Sequence, residues 1–178
     1  MSGTISTVLT SSYTLSVNPT TITQTGGVEV TGAAEAAIVG PSPSAWTVLN
    51  EGTLTSAEGY GVLLHDGGSV TNTAGALIKG GIYYDPLNQG NFGAGVSING
   101  AAGTVVNSGT IEDQEPARYY GYIGTGIALG AGGRVTNTKG GAIIGGAWSH
   151  HRGRVRHRER RDGRSDGDQR GDDSCEFR

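Results

Sequence analysis

The chain has 178 residues, room for one domain or for one domain with a tail. Glycine supplies 33 of them, against a usual share of roughly 7%, and lysine occurs only as Lys79 and Lys139. The glycines never recur every third residue, which excludes collagen. At roughly 1 kcal/mol per interior position they also disfavour long helices. No run approaches the roughly 18 apolar residues of a membrane-spanning helix. The net charge of −3 hides a boundary near His150: four basic and nine acidic residues precede it, a net of −5, while nine arginines and seven acids follow, a net of +2.

Residues 1–19 form a Ser/Thr-rich segment expected to cap the residues after it. Met1-Ser2-Gly3-Thr4-Ile5-Ser6-Thr7-Val8-Leu9 has no basic n-region and no apolar stretch of useful length, so it does not read as a secretory signal peptide. From residue 20 onward the chain repeats itself. Gly27-Val28-Glu29-Val30-Thr31-Gly32-Ala33-Ala34 recurs as Gly95-Val96-Ser97-Ile98-Asn99-Gly100-Ala101-Ala102, with looser copies from Gly61 and Gly126. A second phrase follows each copy: Val48-Leu49-Asn50, Val70-Thr71-Asn72, Val105-Val106-Asn107 and Val135-Thr136-Asn137.

From leading glycine to asparagine the spacing is 23, 11, 12 and 11 residues, and from asparagine to the next leading glycine 11, 23 and 19. The minimal unit is therefore 22 residues, with segments of about 12, 12 and 8 residues inserted at junctions. Each unit holds two short strands of period 2, ended by Gly or Asn, which enter left-handed turn conformations at little cost. Two such strands cannot close a core alone, but stacked units can. Val28, Val62, Val96 and Ile127 are expected to form one ladder, and Val48, Val70, Val105 and Val135 another. Asn50, Asn72, Asn107 and Asn137 are expected to form a stacked amide ladder. The fold class is all-β: a short right-handed parallel β-helix of about four 22-residue rungs over residues 20–148. Leucine-rich repeats and propellers are excluded by frame and by period.

Trp46-Thr47-Val48-Leu49-Asn50-Glu51-Gly52-Thr53-Leu54 and Gly68-Ser69-Val70-Thr71-Asn72-Thr73 resemble the repeats of bacterial autotransporter passengers and related large adhesins. The resemblance covers roughly residues 20–148. It implies a right-handed β-helix displayed at the cell surface or secreted, often adhesive. The chain departs from that pattern in showing neither a signal peptide nor a C-terminal membrane barrel.

Residues 149–178 are Arg/Asp-rich, low in complexity and expected to be disordered, because Val155 and Phe177 are their only large apolar side chains. His150, His151 and His157 without a fixed scaffold make a weak metal site. Seven carboxylates interleaved with nine arginines largely cancel the field that phosphate binding requires. The lone Cys175 forms no internal disulfide. Arg, Gly, Asp and His are what GC-rich codons give in a shifted frame, and the composition breaks within one repeat. The tail is therefore read as the product of a frameshift near Trp148, with a genuine interaction tail as the other reading.

An enzyme on such a scaffold would hold carboxylates on adjacent rungs of one face. In this register Glu29 projects outward and its equivalents are Leu63, Ser97 and Ala128, so no acidic ladder is expected. Gly-x-Ser-x-Gly elbows, calcium-binding nonapeptides and phosphate loops are absent. The adjacent His65 and Asp66 read as a solvated turn. No enzyme activity, cofactor, metal or nucleic-acid partner is expected.

Two insertions, roughly Tyr83 to Ala94 and Glu112 to Thr125, are the better lead. Both are expected to enter after the Val-x-Asn strand, and stacking then sets them side by side. They carry Tyr83, Tyr84, Phe92, Tyr119, Tyr120 and Tyr122, with Asp85 and other polar groups nearby. Tyrosine faces beside amides and carboxylates suit sugar rings or a protein surface. The competing reading is that they pack the two loops together. Candidate ligand-binding residues are Tyr83, Tyr84, Asp85, Tyr119, Tyr120 and Tyr122. Trp46 and Trp148 read as end or flank packing. The function expected is a fragment of a non-enzymatic adhesin presenting these loops to a glycan or host-surface protein, with end-to-end self-association at an open edge. The alternatives are a purely structural spacer and a degenerate polysaccharide-active enzyme.

Overall fold

The computed structural model describes residues 2–85, 90–113 and 124–145, apart from the side chains of 83–85 and 90–92. The tail, with His150, His151, His157 and Cys175, lies outside the described residues, as does Trp148.

The described chain is a parallel β-helix with three sheets. The first sheet stacks β1 (Gly3–Ile5), β4 (Thr20–Ile22), β7 (Trp46–Asn50), β10 (Gly68–Asn72), β14 (Gly103–Asn107) and β17 (Gly133–Asn137). The second stacks β2 (Val8–Leu9), β5 (Gly27–Val30), β8 (Thr53–Ser56), β11 (Leu77–Gly80), β15 (Thr110–Asp113) and β18 (Ala142–Ile144). The third stacks β3 (Tyr13–Thr14), β6 (Ala36–Gly40), β9 (Gly59–Leu64), β13 (Gly90–Ile98) and β16 (Thr125–Leu129), and β12 (Tyr83–Asp85) adds antiparallel to the start of β13. Each coil visits the three sheets in turn, so neighbouring strands come from successive coils and run parallel.

There are thus three strands per coil rather than two. The third was hidden in sequence because segments such as Thr53–Ser56 and Leu77–Gly80 are four residues long, too short to show a period of their own. From residue 20 onward the described helix has four complete coils and two strands of another, in line with the roughly four rungs expected there, and a further coil precedes them. The Ser/Thr-rich N-terminal segment is itself a coil, contributing β1, β2 and β3. From Gly3 to Thr20, Val48, Val70, Val105 and Val135 the chain advances 17, 28, 22, 35 and 30 residues. The 22-residue unit is the coil from β7 to β10 alone.

The first sheet follows its expected register, with Val48, Val70, Val105 and Val135 in one column and Asn50, Asn72, Asn107 and Asn137 in the next. The other ladder needs correction. Val62, Val96 and Ile127 do align, but the residue beneath Val62 is Ile38. Val28 sits on the second sheet against Leu54. The phrase Gly27-Val28-Glu29-Val30 mimics third-sheet strands because glycine plus alternation fits any face of the coil. The first supposed insertion, before Val48, accordingly contains the ordinary strand β6.

Inward Val, Ile and Leu from all three sheets build one continuous core that includes Ile22, Val28, Ile38, Leu54, Val62, Ile78, Val96 and Ile111. Trp46 is buried where the third sheet meets the first and donates its Nε1–H to Pro41 O at 2.8 Å. Both end coils expose an outward apolar residue, Val8 at 51% and Ile144 at 44%, and the inward residues differ, Ile5 of the first coil being 6% exposed and Val135 of the last described coil 43%.

Corners between the first and second sheets alternate in length through all six coils: two, four, two, four, two and four residues. The four-residue corners close with bonds from Gly26 N to Thr23 O, Ala76 N to Thr73 O and Gly141 N to Thr138 O, at 2.9, 3.1 and 3.0 Å. The later two-residue corners contain Gly52 and Gly109. A Cβ on Gly52 would overlap the carbonyl oxygens of Thr23 and Gly26, and one on Gly109 those of Thr73 and Ala76. The tight corner therefore nests between the first and last carbonyls of the wide corner before it, and glycine is the residue that fits.

Candidate functional site

The asparagine column is a bonded ladder. Asn50 Nδ2 donates to Asn72 Oδ1 at 2.9 Å, Asn72 Nδ2 to Asn107 Oδ1 at 2.8 Å, and Asn107 Nδ2 to Asn137 Oδ1 at 2.9 Å. The same amides reach Leu77 O, Thr110 O and Ala142 O in the following coil at 3.0, 3.0 and 2.9 Å. Asn50, Asn72 and Asn107 are fully buried. A buried amide is stable only with its donors and acceptor partnered, and parallel stacking in register supplies each partner from the next coil. The column is therefore structural, as its sequence pattern implied. On its N-terminal side the same column holds Ile22 and Ile5.

The insertions are rooted at a different corner from the one expected. They follow the second-sheet strands β11 and β15, not the Val-x-Asn strands, and so leave from the corner between the second and third sheets. Their bases nevertheless lie side by side. Gly80 pairs with Asp113 where the two segments leave the second sheet, and Ala94 pairs with Thr125 where they rejoin the third. Adjacent strands sit about 4.8 Å apart, so the roots of the two segments share one flank.

In the first insertion Tyr83, Tyr84 and Asp85 form β12, whose backbone pairs with Phe92, Asn91 and Gly90 in a hairpin off the third sheet. The tip, residues 86–89, lies outside the described residues, as do Tyr119, Tyr120 and Tyr122 of the second insertion.

The scaffold around these roots carries charges that the sequence did not place. The outward column of the second sheet runs Glu29, Thr55, Lys79, Glu112 and Ile144. The outward column of the third sheet runs Val39, Leu63, Ser97 and Ala128, so Glu29 is not the counterpart of Leu63. Lys79 Nζ lies 3.0 Å from Glu112 Oε1, each one residue before the end of its strand, which ties the two roots together on the outer surface. Asp113 is buried, and its Oδ2 accepts from Thr125 N at 3.1 Å. His65 Nε2 is 3.5 Å from Glu35 Oε1, joining neighbouring coils on the third face. Tyr60 is half-buried nearby. Burial first, then the Glu35 and Asp113 charges, raise its phenol above the ordinary tyrosine value, because all three disfavour the phenolate.

Among the described residues no group of three or more His, Cys, Asp or Glu side chains gathers as a metal-ligand set. Chemically, the described flank offers one ion pair, one half-buried phenol and a backbone hairpin carrying two consecutive tyrosines. Sequence reasoning placed Glu112 and Asp113 among the polar groups of the second insertion rather than on the second sheet, and missed Lys79 and Tyr60, because their grouping depends on the third strand of each coil. Compared with models of protein families, with curated proteins and with solved structures, the chain matches none.

Proposed function

We propose that this chain is part of a non-enzymatic β-helix adhesin, displayed at a cell surface or secreted, that presents tyrosine-bearing insertions to a glycan or a protein surface. One observation carries the reading: two long insertions leave consecutive coils at the same corner, with both their departure and their return points in register. A rigid scaffold that holds two variable segments side by side is the usual geometry of loop-based recognition. Tyrosine adds large contact area at low conformational cost. The repeat phrases that resemble autotransporter passengers support the location and the adhesive role.

The test is binding of the full chain to a glycan array and to immobilised host-surface proteins. The expected result is saturable binding that falls about tenfold or more in Tyr84→Ala or Tyr120→Ala, with unfolding midpoints unchanged. Binding indifferent to both substitutions, or no binding at all, would favour a structural spacer. That second reading is supported by the asparagine ladder and continuous core, which make a stiff rod whatever the loops do. Cleavage of any polysaccharide on the array would overturn the non-enzymatic part.

A further inference from the structure

The last position of β5, β8, β11 and β15 faces inward at the corner where the insertions begin, and from β8 to β15 the chain closes that corner in three chemically different ways. In the coil of β8 the gap to the third sheet is two residues, and Ser56 Oγ–H donates to Glu58 O. In the coil of β11 the position is Gly80, whose missing side chain lets the backbone press against Ala94, the residue where the chain has rejoined the third sheet; a Cβ there would overlap the Ala94 carbonyl. In the coil of β15 the position is Asp113, in register with Gly80. Its carboxylate accepts from the N–H of Thr125, in register with Ala94, across eleven intervening residues.

We propose that Asp113 is the positioning residue that closes the neck of the second insertion, fixing where that segment leaves and rejoins the coil independently of the residues between. The chemistry suits the task. A donor supplied by the backbone at the rejoining point can be met only by an acceptor, and a carboxylate at 3% exposure makes a shorter, stronger bond to it than a neutral group would. Glycine serves the neighbouring coil because its β12–β13 hairpin supplies backbone bonds of its own, whereas the second insertion is joined at its base by a side chain. The inference concerns attachment of the loop and holds whether or not the loops bind a ligand, so its test reads the backbone rather than adhesion.

The test is amide hydrogen exchange on the full-length chain, comparing parent, Asp113→Ala and Asp113→Asn. In Asp113→Ala the Thr125 N–H is expected to exchange about tenfold faster or more, since a hydrogen bond to a charged acceptor is lost. Amides of the first sheet, such as those of Val105 and Asn107, are expected to keep their parent rates. Asp113→Asn retains an acceptor oxygen of the same reach and is expected to stay within about threefold of the parent. An unchanged Thr125 rate in Asp113→Ala overturns the proposal. So does uniform acceleration across all coils, which would make Asp113 a determinant of global stability, and so does an Asn variant that exchanges like the Ala variant.

Discussion

Two corners of the same coil follow opposite rules. Between the first and second sheets the chain takes two or four residues and nothing else; between the second and third it takes from two residues to the thirteen that separate Gly80 from Ala94. The first corner is bonded throughout. From the coil of β7 onward an asparagine amide reaches into its corner and to the next coil, and the backbone ladder continues around the bend through Glu51 N to Ile22 O, Thr73 N to Asn50 O, Ser108 N to Asn72 O and Thr138 N to Asn107 O at 2.8–2.9 Å. At the second corner the contacts at the base differ from coil to coil: Ala57 N to Val30 O and Ser56 to Glu58 O, then Gly81 N to Gly59 O beside the close Gly80–Ala94 approach, then Asp113 to Thr125 N. A coil can therefore vary where a few contacts at the base define the neck, and cannot where a buried network defines every residue.

The sharpest way to break this contrast is to place the same eight-residue Gly/Ser segment in each corner. Inserted after Arg118 in the second insertion, it is expected to lower unfolding free energy by about 0.6 kcal/mol or less, the cost of roughly doubling a loop. Inserted between Glu51 and Gly52, it is expected to cost more than about 3 kcal/mol, because it separates Asn50 from its corner partner and strands buried polar groups. Equal losses from the two insertions, read from urea unfolding curves, would show that the corners do not differ in kind.

A smaller effect is expected from Asn72→Ala. The two N–H groups of Asn72 are divided among Asn107 Oδ1, Thr110 O and Ala76 O, while its oxygen accepts from Asn50. Truncation leaves several buried groups without this partner and is expected to cost about 2–4 kcal/mol. A loss under about 1 kcal/mol would mean that the ladder sets register rather than stability.

The smallest effect belongs to the variable corner and depends on pH. The folded-state pKa of Tyr60 is raised, so the unfolded chain gives up the phenol proton first. The associated stability is present below the unfolded value of about 10 and is lost as pH rises through the folded value. Tyr60→Phe is therefore expected to change the urea midpoint by the same amount relative to the parent at all pH values below about 9, and to gain on the parent at about pH 11. A parent-minus-variant difference that stays flat over that range would remove Tyr60 from the alkaline response.

The constrained corner was the legible one, and for a physical reason. Val-x-Asn occurs four times, and between Asn50 and Asn137 a buried amide ladder tolerates no other residue without stranding a partner, so function in the stack and pattern in the sequence coincide. The variable corner was legible only in outline. Two insertions on one flank could be inferred, but their roots were assigned one strand too early, since Thr53–Ser56 and Thr110–Asp113 are too short to declare themselves. Gly27-Val28-Glu29-Val30 was assigned to the wrong face because period-2 alternation does not distinguish three faces. Asp113 carries no local signature at all, because its partner is a backbone N–H twelve positions later.

The alternation of tight and wide corners has a consequence for how such a rod can lengthen or shorten. Gly52 and Gly109 each lie in a bay made by a wide corner one coil earlier, so the smallest module that reproduces its own surroundings is a pair of coils. Duplicating or excising a single coil would bring two corners of equal length into contact, and where those are two tight corners a glycine is left without its bay. Duplicating or excising a pair would leave every junction as it was. For a builder of longer or shorter versions, whether by recombination or at the bench, the currency is the coil pair.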